Sequence, residues 1–366
     1  MHQITEGHAK LLVPKAEKIS REMPVFYNPV MKLNRDISIL LLNSAESRKM
    51  HIADPLAGTG VRSIRFALEL EKKKVGAIAA NDYSKEACRL IKKNIALNKV
   101  KGIEVSNRDA NSFLLGRGFD YIDIDPFGYP GPFMDAAAKC LSRNGILAVT
   151  ATDTAALCGT APSACTRKYW SRPMKNEFMH ETGLRILIRF AQLNFSKYDK
   201  SLIPLFSYSK EHYMRAFFIS KKGNADEILK QHGFVLYCRK CLERNISKSI
   251  FNKKECSCGR RLEHAGPLWL GNLWDRKLLN TMIRKNKDKG LEKFLKVISG
   301  ESKINSVGFY NIHEICSKYG LDVPKTEALI KRIRKTQKVS MTHLSPLGIR
   351  TGLSSKKLAQ IIKSIR

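Results

Sequence analysis

The chain reads as an α/β protein: an open, mostly parallel sheet with helices on both faces, closed by an antiparallel hairpin and followed by a smaller α+β domain. Three observations predict this. Between residues 51 and 152, short apolar runs alternate with stretches of helical periodicity, the pattern of repeated β-α units. Residues 202–209 and 213–221 are two apolar runs separated only by Lys210-Glu-His212, which reads as a hairpin. After Lys222 the composition changes, and cysteines and basic residues accumulate.

Taken in order, residues 1–50 form an N-terminal extension expected to close over the site. Within it, 19–29 is irregular and proline-punctuated, and 31–43 is helical, with apolar Leu33, Ile37, Leu40 and Leu41 on one face. Residues 51–54 end a strand and 61–71 are helical. Residues 75–80 form a strand and 84–98 a helix with Ser84 as N-cap. Strands follow at 103–105 and 119–125, a helix at 132–141, a strand at 145–152 and a helix at 177–193. These units make residues 51–221 one domain. Residues 222–366 make another: a cysteine-bearing stretch (235–262), an aromatic turn (269–274), a basic helical stretch (276–298), then helix, helix and a strand pair over 303–350.

The net charge is +32, and residues 221–366 hold 32 Lys+Arg against 12 Asp+Glu. A field of that sign favours polyanions, so the C-terminal part reads as a nucleic-acid grip, with a merely solubilising surface as the plainer alternative. Nine cysteines do not suggest a disulfide framework. No basic-then-apolar leader opens the chain, and no apolar run has the length to span a bilayer. The expected setting is soluble, reducing and cytoplasmic, with no membrane and no obligate protein partner.

The chemistry concentrates at the strand ends. Asp54-Pro-Leu-Ala-Gly-Thr-Gly60 sets Gly58 and Gly60 at a strand-to-helix turn, where backbone can approach a ligand and helix N–H groups are free. No Lys follows, so a nucleoside triphosphate is disfavoured. Asp82 closes the next strand, where a carboxylate can accept both hydroxyls of a ribose; a helix cap is the alternative. Asp109-Ala110 follows the third strand, and its acid could take an adenine amino group or simply serve a loop. Asp125-Pro-Phe-Gly128 ends the fourth. Asp125 can accept a proton from an exocyclic arylamine, Pro126 stiffens the turn and Phe127 offers a stacking face. Asp123 is expected on the opposite side of the strand, in a structural role.

Cys238-x2-Cys241-x14-Cys256-x-Cys258 is a second, separate signal. Four thiolates at this spacing suit a closed, structural zinc site, although the last pair is shorter than the common Cys-x2-Cys. Cys88, Cys140, Cys158, Cys165 and Cys316 read as core or surface thiols, and His264 as a bystander.

With these residues assembled, the chain resembles the tRNA (guanine-26-N2) dimethyltransferase family, archaeal type. The matching segments are Glu6-Gly7, Pro24-Val-Phe-Tyr-Asn-Pro29, Asn34-Arg-Asp36, residues 54–66, Asn81-Asp82, Asp109-Ala110, residues 123–128, Thr152-Asp153 and the four cysteines. The resemblance implies a Rossmann-like class I methyltransferase sheet, S-adenosyl-L-methionine as donor, and one or two methyl transfers to guanine N2 in tRNA. It further implies Asp125 as proton acceptor, Phe127 and Phe26 flanking the base, and Arg35, Arg65, Asp82, Asp109 and Ala110 around the cofactor. The rivals are an amino-methyltransferase acting on another tRNA position, rRNA or DNA, and a non-catalytic zinc-ribbon nucleic-acid binder.

Overall fold

The chain opens with a hairpin of β1 (His2–Glu6) and β2 (Ala9–Val13), paired antiparallel around Gly7, which takes φ 55°. After α1 (Lys32–Ser44) come the β-α units: β3 (Met50–Asp54), α2 (Val61–Glu69), β4 (Val75–Asn81), α3 (Lys85–Leu97), β5 (Ile103–Ser106), α4 (Ala110–Leu114), β6 (Phe119–Ile124), α5 (Met134–Cys140) and β7 (Leu141–Ala151). The computed structural model describes residues 1–15, 25–251 and 253–365, so the irregular stretch expected over 19–29 is described only from Val25.

The central strands are apolar because the sheet is covered on both faces. Ile52, Ala53, Tyr121, Ile122, Leu147 and Val149 are all buried. Neighbours run β5-β4-β3-β6-β7-β9-β8, and β3/β4, β3/β6, β4/β5 and β6/β7 are parallel. The strand order reverses at β3. That places the ligand crevice of an open α/β sheet outside the carboxyl ends of β3 and β6. Local signals behave as expected: the Ser84 hydroxyl accepts from Ala87 N at 3.3 Å and starts α3.

The rest of the chain adds α6 (Thr154–Leu157), α7 (Pro162–Tyr169), α8 (Met179–Ser196), β8 (Lys200–Lys210), β9 (Tyr213–Lys222), α9 (Ala225–Leu229), β10 (His232–Tyr237), β11 (Arg244–Ser247) and β12 (Glu263–Trp269). It ends with α10 (Arg276–Lys285), α11 (Lys289–Ser302), β13 (Tyr310–Asn311), α12 (Ile312–Tyr319), α13 (Thr326–Arg334), β14 (Val339–Thr342), β15 (Ser345–Thr351) and α14 (Ser355–Lys363). Strands β8 and β9 are sheet neighbours joined by Glu211 and His212 alone, a connection too short for anything but an antiparallel hairpin.

Two compact units emerge. One takes residues 1–152, 194–203 and 217–225; the other takes 153–193, 204–216 and 226–366. They interleave along the chain, which a composition boundary does not reveal. In the second unit, β10 pairs antiparallel with β11 and β12, and β15 with β13 and β14. The basic stretch 276–298 is two helices, because Asp288 caps a new start at α11 by accepting from Gly290 N at 2.7 Å and Leu291 N at 3.3 Å.

The second unit also buries a charged cluster. Arg350 meets Glu181 at 2.5 Å and Glu301 at 3.1 Å, and Arg185 meets Glu181 at 2.9 Å. Each buried charge therefore has a partner, the condition for tolerating it. Among the described residues, no helix is long and apolar enough to cross a membrane.

Candidate active site

The crevice at the carboxyl ends of β3, β4 and β6 holds a cavity of about 460 Å³, within the range of small-molecule sites. Of the residues singled out in the sequence, Phe26, Arg35, Gly58, Asp82, Asp125 and Phe127 line it. Gly60, Arg65, Asp109 and Ala110 are not on its wall.

The glycine loop shapes one side. Gly58 and Gly60 take φ 53° and 76°, and a Cβ on Gly58 would stand 2.9 Å from the Phe26 carbonyl oxygen. Glycine is what lets the N-terminal segment approach that closely. Asp82 is held through both carboxylate oxygens, accepting from Gly58 N and Ser84 N at 2.9 Å each. Burial pushes its carboxyl above the ordinary value. Asp109 instead caps α4, accepting from Asn111 N and Ser112 N at 3.0 Å each, and is exposed.

Asp125 stands just past β6 with its side chain 18% exposed, facing the cavity. Its Oδ2 pairs with Nη2 of Arg62, and Nη1 of the same guanidinium lies 3.2 Å from Asp123 Oδ2. Asp123 and Asp125 therefore share a side, contrary to the expectation that Asp123 faces away. The reason is strand periodicity: residues two apart point the same way. Asp123 is fully buried and also accepts from Tyr121 Oη at 2.5 Å. Gly128 N donates to Thr152 Oγ1 at 2.6 Å, tying the turn after Asp125 to the end of β7. Phe127 is 43% exposed, and its ring meets that of Phe26 edge to face with centroids 4.2 Å apart.

Sequence reasoning missed several contributors. Asp54 lies on the cavity wall and accepts from Ser63 Oγ at 2.8 Å. Burial pushes its carboxyl up to about 7, with Arg62 opposing and Asp123 adding to the rise. Arg62, Met31, Tyr129 and Phe133 also line the cavity. Asp54 opens the glycine motif and could have been found there; Arg62 has no local signature.

The N-terminal hairpin supplies Glu6. It bridges Arg35 (Nε to Oε1, 2.6 Å) and Arg65 (Nη1 to Oε1, 2.9 Å) and accepts from Tyr27 Oη at 2.9 Å. Burial alone would raise the Glu6 carboxyl, but Arg35, with Arg65, holds it below its ordinary value. Arg65 is further engaged by Asp36 and Glu69, each at 2.7 Å. It sits behind the wall, braced by the same glutamate that orients Arg35.

In the second unit, Cys238, Cys241, Cys256 and Cys258 bring their sulfur atoms within 4.8 Å of one another. The pairs Cys238–Cys258 and Cys241–Cys256 stand at 3.5 Å. A tetrahedral zinc with sulfurs at 2.3 Å needs them about 3.8 Å apart, so the four thiols are compatible with a structural zinc ion. His264 packs edge to face against Phe234 and is not part of the cluster.

Known proteins resemble this chain over nearly its whole length. The profile of the family described as N2,N2-dimethylguanosine tRNA methyltransferase matches residues 7–363. A tRNA (guanine(26)-N(2))-dimethyltransferase from Methanobrevibacter smithii is 42% identical over 99% of this chain and 97% of its own length. A tRNA (guanine(26)-N(2)/guanine(27)-N(2))-dimethyltransferase from Aquifex aeolicus is 38% identical over 100% of this chain and 96% of its own. Among solved structures, the complex of Trm1 from Pyrococcus horikoshii with S-adenosyl-L-methionine superposes with a TM-score of 0.89 at 35% identity, covering 99% of this chain and 100% of that one. The fold is thus a Rossmann-like methyltransferase sheet, and the chain belongs to the N2,N2-dimethylguanosine tRNA methyltransferase family.

Proposed function

We propose that this chain transfers one or two methyl groups from S-adenosyl-L-methionine to the exocyclic N2 of guanine 26 in tRNA, in the cytoplasm. The observation that carries the reading is the placement of Asp125: a carboxylate on the cavity wall, anchored through one oxygen and flanked by Pro126 and an exposed aromatic ring.

The residues fit the cofactor. Asp82, fastened by two backbone N–H groups, keeps lone pairs for the ribose hydroxyls, and the Gly58–Gly60 turn leaves room for close approach. Arg35 completes the wall, with Arg65 behind it; Asp109 and Ala110 belong to the adenine side on the strength of the resemblance. The cofactor supplies an electrophilic methyl on sulfur, which keeps the bond pair as the methyl leaves.

Asp125 does the rest. The lone pair of an exocyclic amine is delocalised into the ring, and a carboxylate that accepts its N–H localises that pair and takes the proton as the N–C bond forms. After one transfer N2 still carries one N–H, so the same residue serves the second. The base must leave its stack to arrive here. Sandwiching it between Phe26 and Phe127 needs roughly 7 Å, two stacked layers of about 3.4 Å. Their rings are 4.2 Å apart, so one ring has to swing aside as the base enters. Residues 1–50 close over the site, and residues 222–366 grip the tRNA. That segment holds a basic groove of about 1090 Å³ lined by Arg276, Lys303, Arg334, Lys335 and Lys338.

Methylation of tRNA transcripts carrying guanine at 26, at 27, at both or at neither tests this, with nucleosides identified by mass spectrometry. Methyl-guanosine at 26 is expected with wild type and none with Asp125→Ala. The Aquifex relative's name favours a second reading, in which position 27 is modified as well. Retained activity in Asp125→Ala sinks the catalytic assignment.

A further inference from the structure

Arg62 stands at the second position of α2, and its guanidinium reaches across to two carboxylates that follow one another on the β6 side. Nη1 lies 3.2 Å from Asp123 Oδ2, and Nη2 contacts Asp125 Oδ2. The same Nη1 donates to Asn34 Oδ1 at 3.0 Å and Ser38 Oγ at 3.2 Å on α1. Asn34 in turn donates to Thr150 Oγ1 on β7 at 3.2 Å. The side chains of Arg62 and Asp123 are 6% and 0% exposed, so neither is well placed to be relieved by water.

Two carboxylates around one buried cation pose a question of charge. If Arg62 faced Asp125 alone, moving a proton onto Asp125 would leave a buried guanidinium without its anion, an expensive state. Asp123 removes that difficulty. With it in place, Arg62 keeps an anionic partner whether Asp125 is a carboxylate or an acid. Because the contact of Arg62 falls on Oδ2, it sets the rotation of the carboxyl group and leaves Oδ1 to meet a substrate N–H.

We propose that Arg62 and Asp123 are positioning residues for methyl transfer, a fixed ion pair that orients Asp125 and keeps it competent to take and release a proton in each of two rounds. This rests on the reading of Asp125 as proton acceptor. The balance is simple: N2 loses a proton and gains a methyl, Asp125 gains the proton and later gives it to solvent, and the charge of the Arg62–Asp123 pair does not change.

The test uses the full-length enzyme, S-adenosyl-L-methionine and a tRNA transcript with guanine at 26, following steady-state rate against pH and substrate concentration for wild type, Asp123→Asn, Arg62→Lys and Asp125→Ala. The charged or titratable groups around Asp125 are Arg62 on α2, Asp54 on β3, and Asp123 and Tyr121 on β6, so Asp54→Asn is the control for a neighbour that titrates near 7. Asp123→Asn is expected to lower kcat about 10- to 100-fold with KM for cofactor and tRNA within about threefold, and to change the pH profile of the rate. Arg62→Lys keeps the buried charge but cannot span both carboxylates, and is expected to lose about tenfold in kcat. A wild-type kcat and pH profile in Asp123→Asn, or in Arg62→Lys if the asparagine variant does not fold, overturns the proposal while leaving Asp125 as base. An active Asp125→Ala overturns the underlying reading instead.

Discussion

The side-chain amide of Asn94 on α3 pairs with the backbone of Leu12 on β2 as a neighbouring strand would: Leu12 N donates to Asn94 Oδ1 at 2.7 Å, and Asn94 Nδ2 donates to Leu12 O at 3.2 Å. One turn on, Asn98 does the same for Lys10, at 2.8 and 2.6 Å. The residues are four apart on a helix and two apart on a strand, spacings that put each pair on one face. The open edge of the hairpin is covered this way. The hairpin in turn carries Glu6 to Arg35 and Arg65. Asn94→Leu leaves buried backbone groups of Leu12 without partners and is expected to cost about 2–3 kcal/mol, read from urea unfolding. The more exposed Asn98→Ala is expected to cost less than about 1 kcal/mol. Equal costs would show that the amide ladder does not fasten the hairpin.

Glu6 and Asp54 push stability in opposite directions with pH. Glu6 is held below its ordinary 4.5, so its contribution is full above that value and fades as pH falls through the lower folded one. Asp54 rises from 3.8 to about 7, so its contribution is full below 3.8 and is lost as pH climbs through about 7. Urea midpoints across pH should show Asp54→Asn gaining roughly 1–3 kcal/mol over wild type at pH 8 and little at pH 4. Glu6→Gln should lose stability at pH 7 and be flatter than wild type below pH 4.5. An Asp54→Asn curve parallel to wild type contradicts this.

The edge-to-face contact of Phe26 and Phe127 leads to a split between binding constants. Phe127→Ala is expected to raise the KM for tRNA about tenfold, a stacking loss of 1–3 kcal/mol, with cofactor affinity by calorimetry little changed. Phe26→Ala removes a stacking face but also opens the narrow gap between the two rings, so its effect on KM should be smaller. The reverse ranking would make Phe26 the principal stacking surface.

Metal analysis of the purified chain should find one zinc, and Cys256→Ser should lose it. A closed four-thiolate site contributes folding energy directly, so chelation should expose residues 238–262 to protease before the sheet unfolds. A zinc-free chain with unchanged proteolysis would refute a structural metal.

Binding of tRNA should weaken steeply with salt. Replacing Arg334 and Lys335 in the basic groove with Glu should lower affinity for all tRNAs alike and reduce the slope of log K against log salt by roughly 1–2. An unchanged slope would move the contact surface elsewhere.

Much of this was legible in the chain. Alternation of apolar runs and helical periods identified the sheet, and Ser84 announced the start of α3. The hairpin of β1 and β2 escaped notice because five-residue strands carry a weak period, and it is held by α3 rather than by its own pairing alone. Asp109, at the expected strand end, also caps α4, a contact its place in the sequence did not disclose.

By itself, the sequence determined the fold class, the proton acceptor candidate Asp125 and the four thiols. Each depends on residue type and short spacing, which a linear chain displays. Only tertiary structure decided what surrounds them: Arg62 on Asp123 and Asp125, Glu6 between Arg35 and Arg65, and Asn94 on Leu12. Those partners lie roughly thirty to eighty residues apart and meet because helices and strands of fixed length stack at fixed distances, a geometry that leaves no mark on local composition.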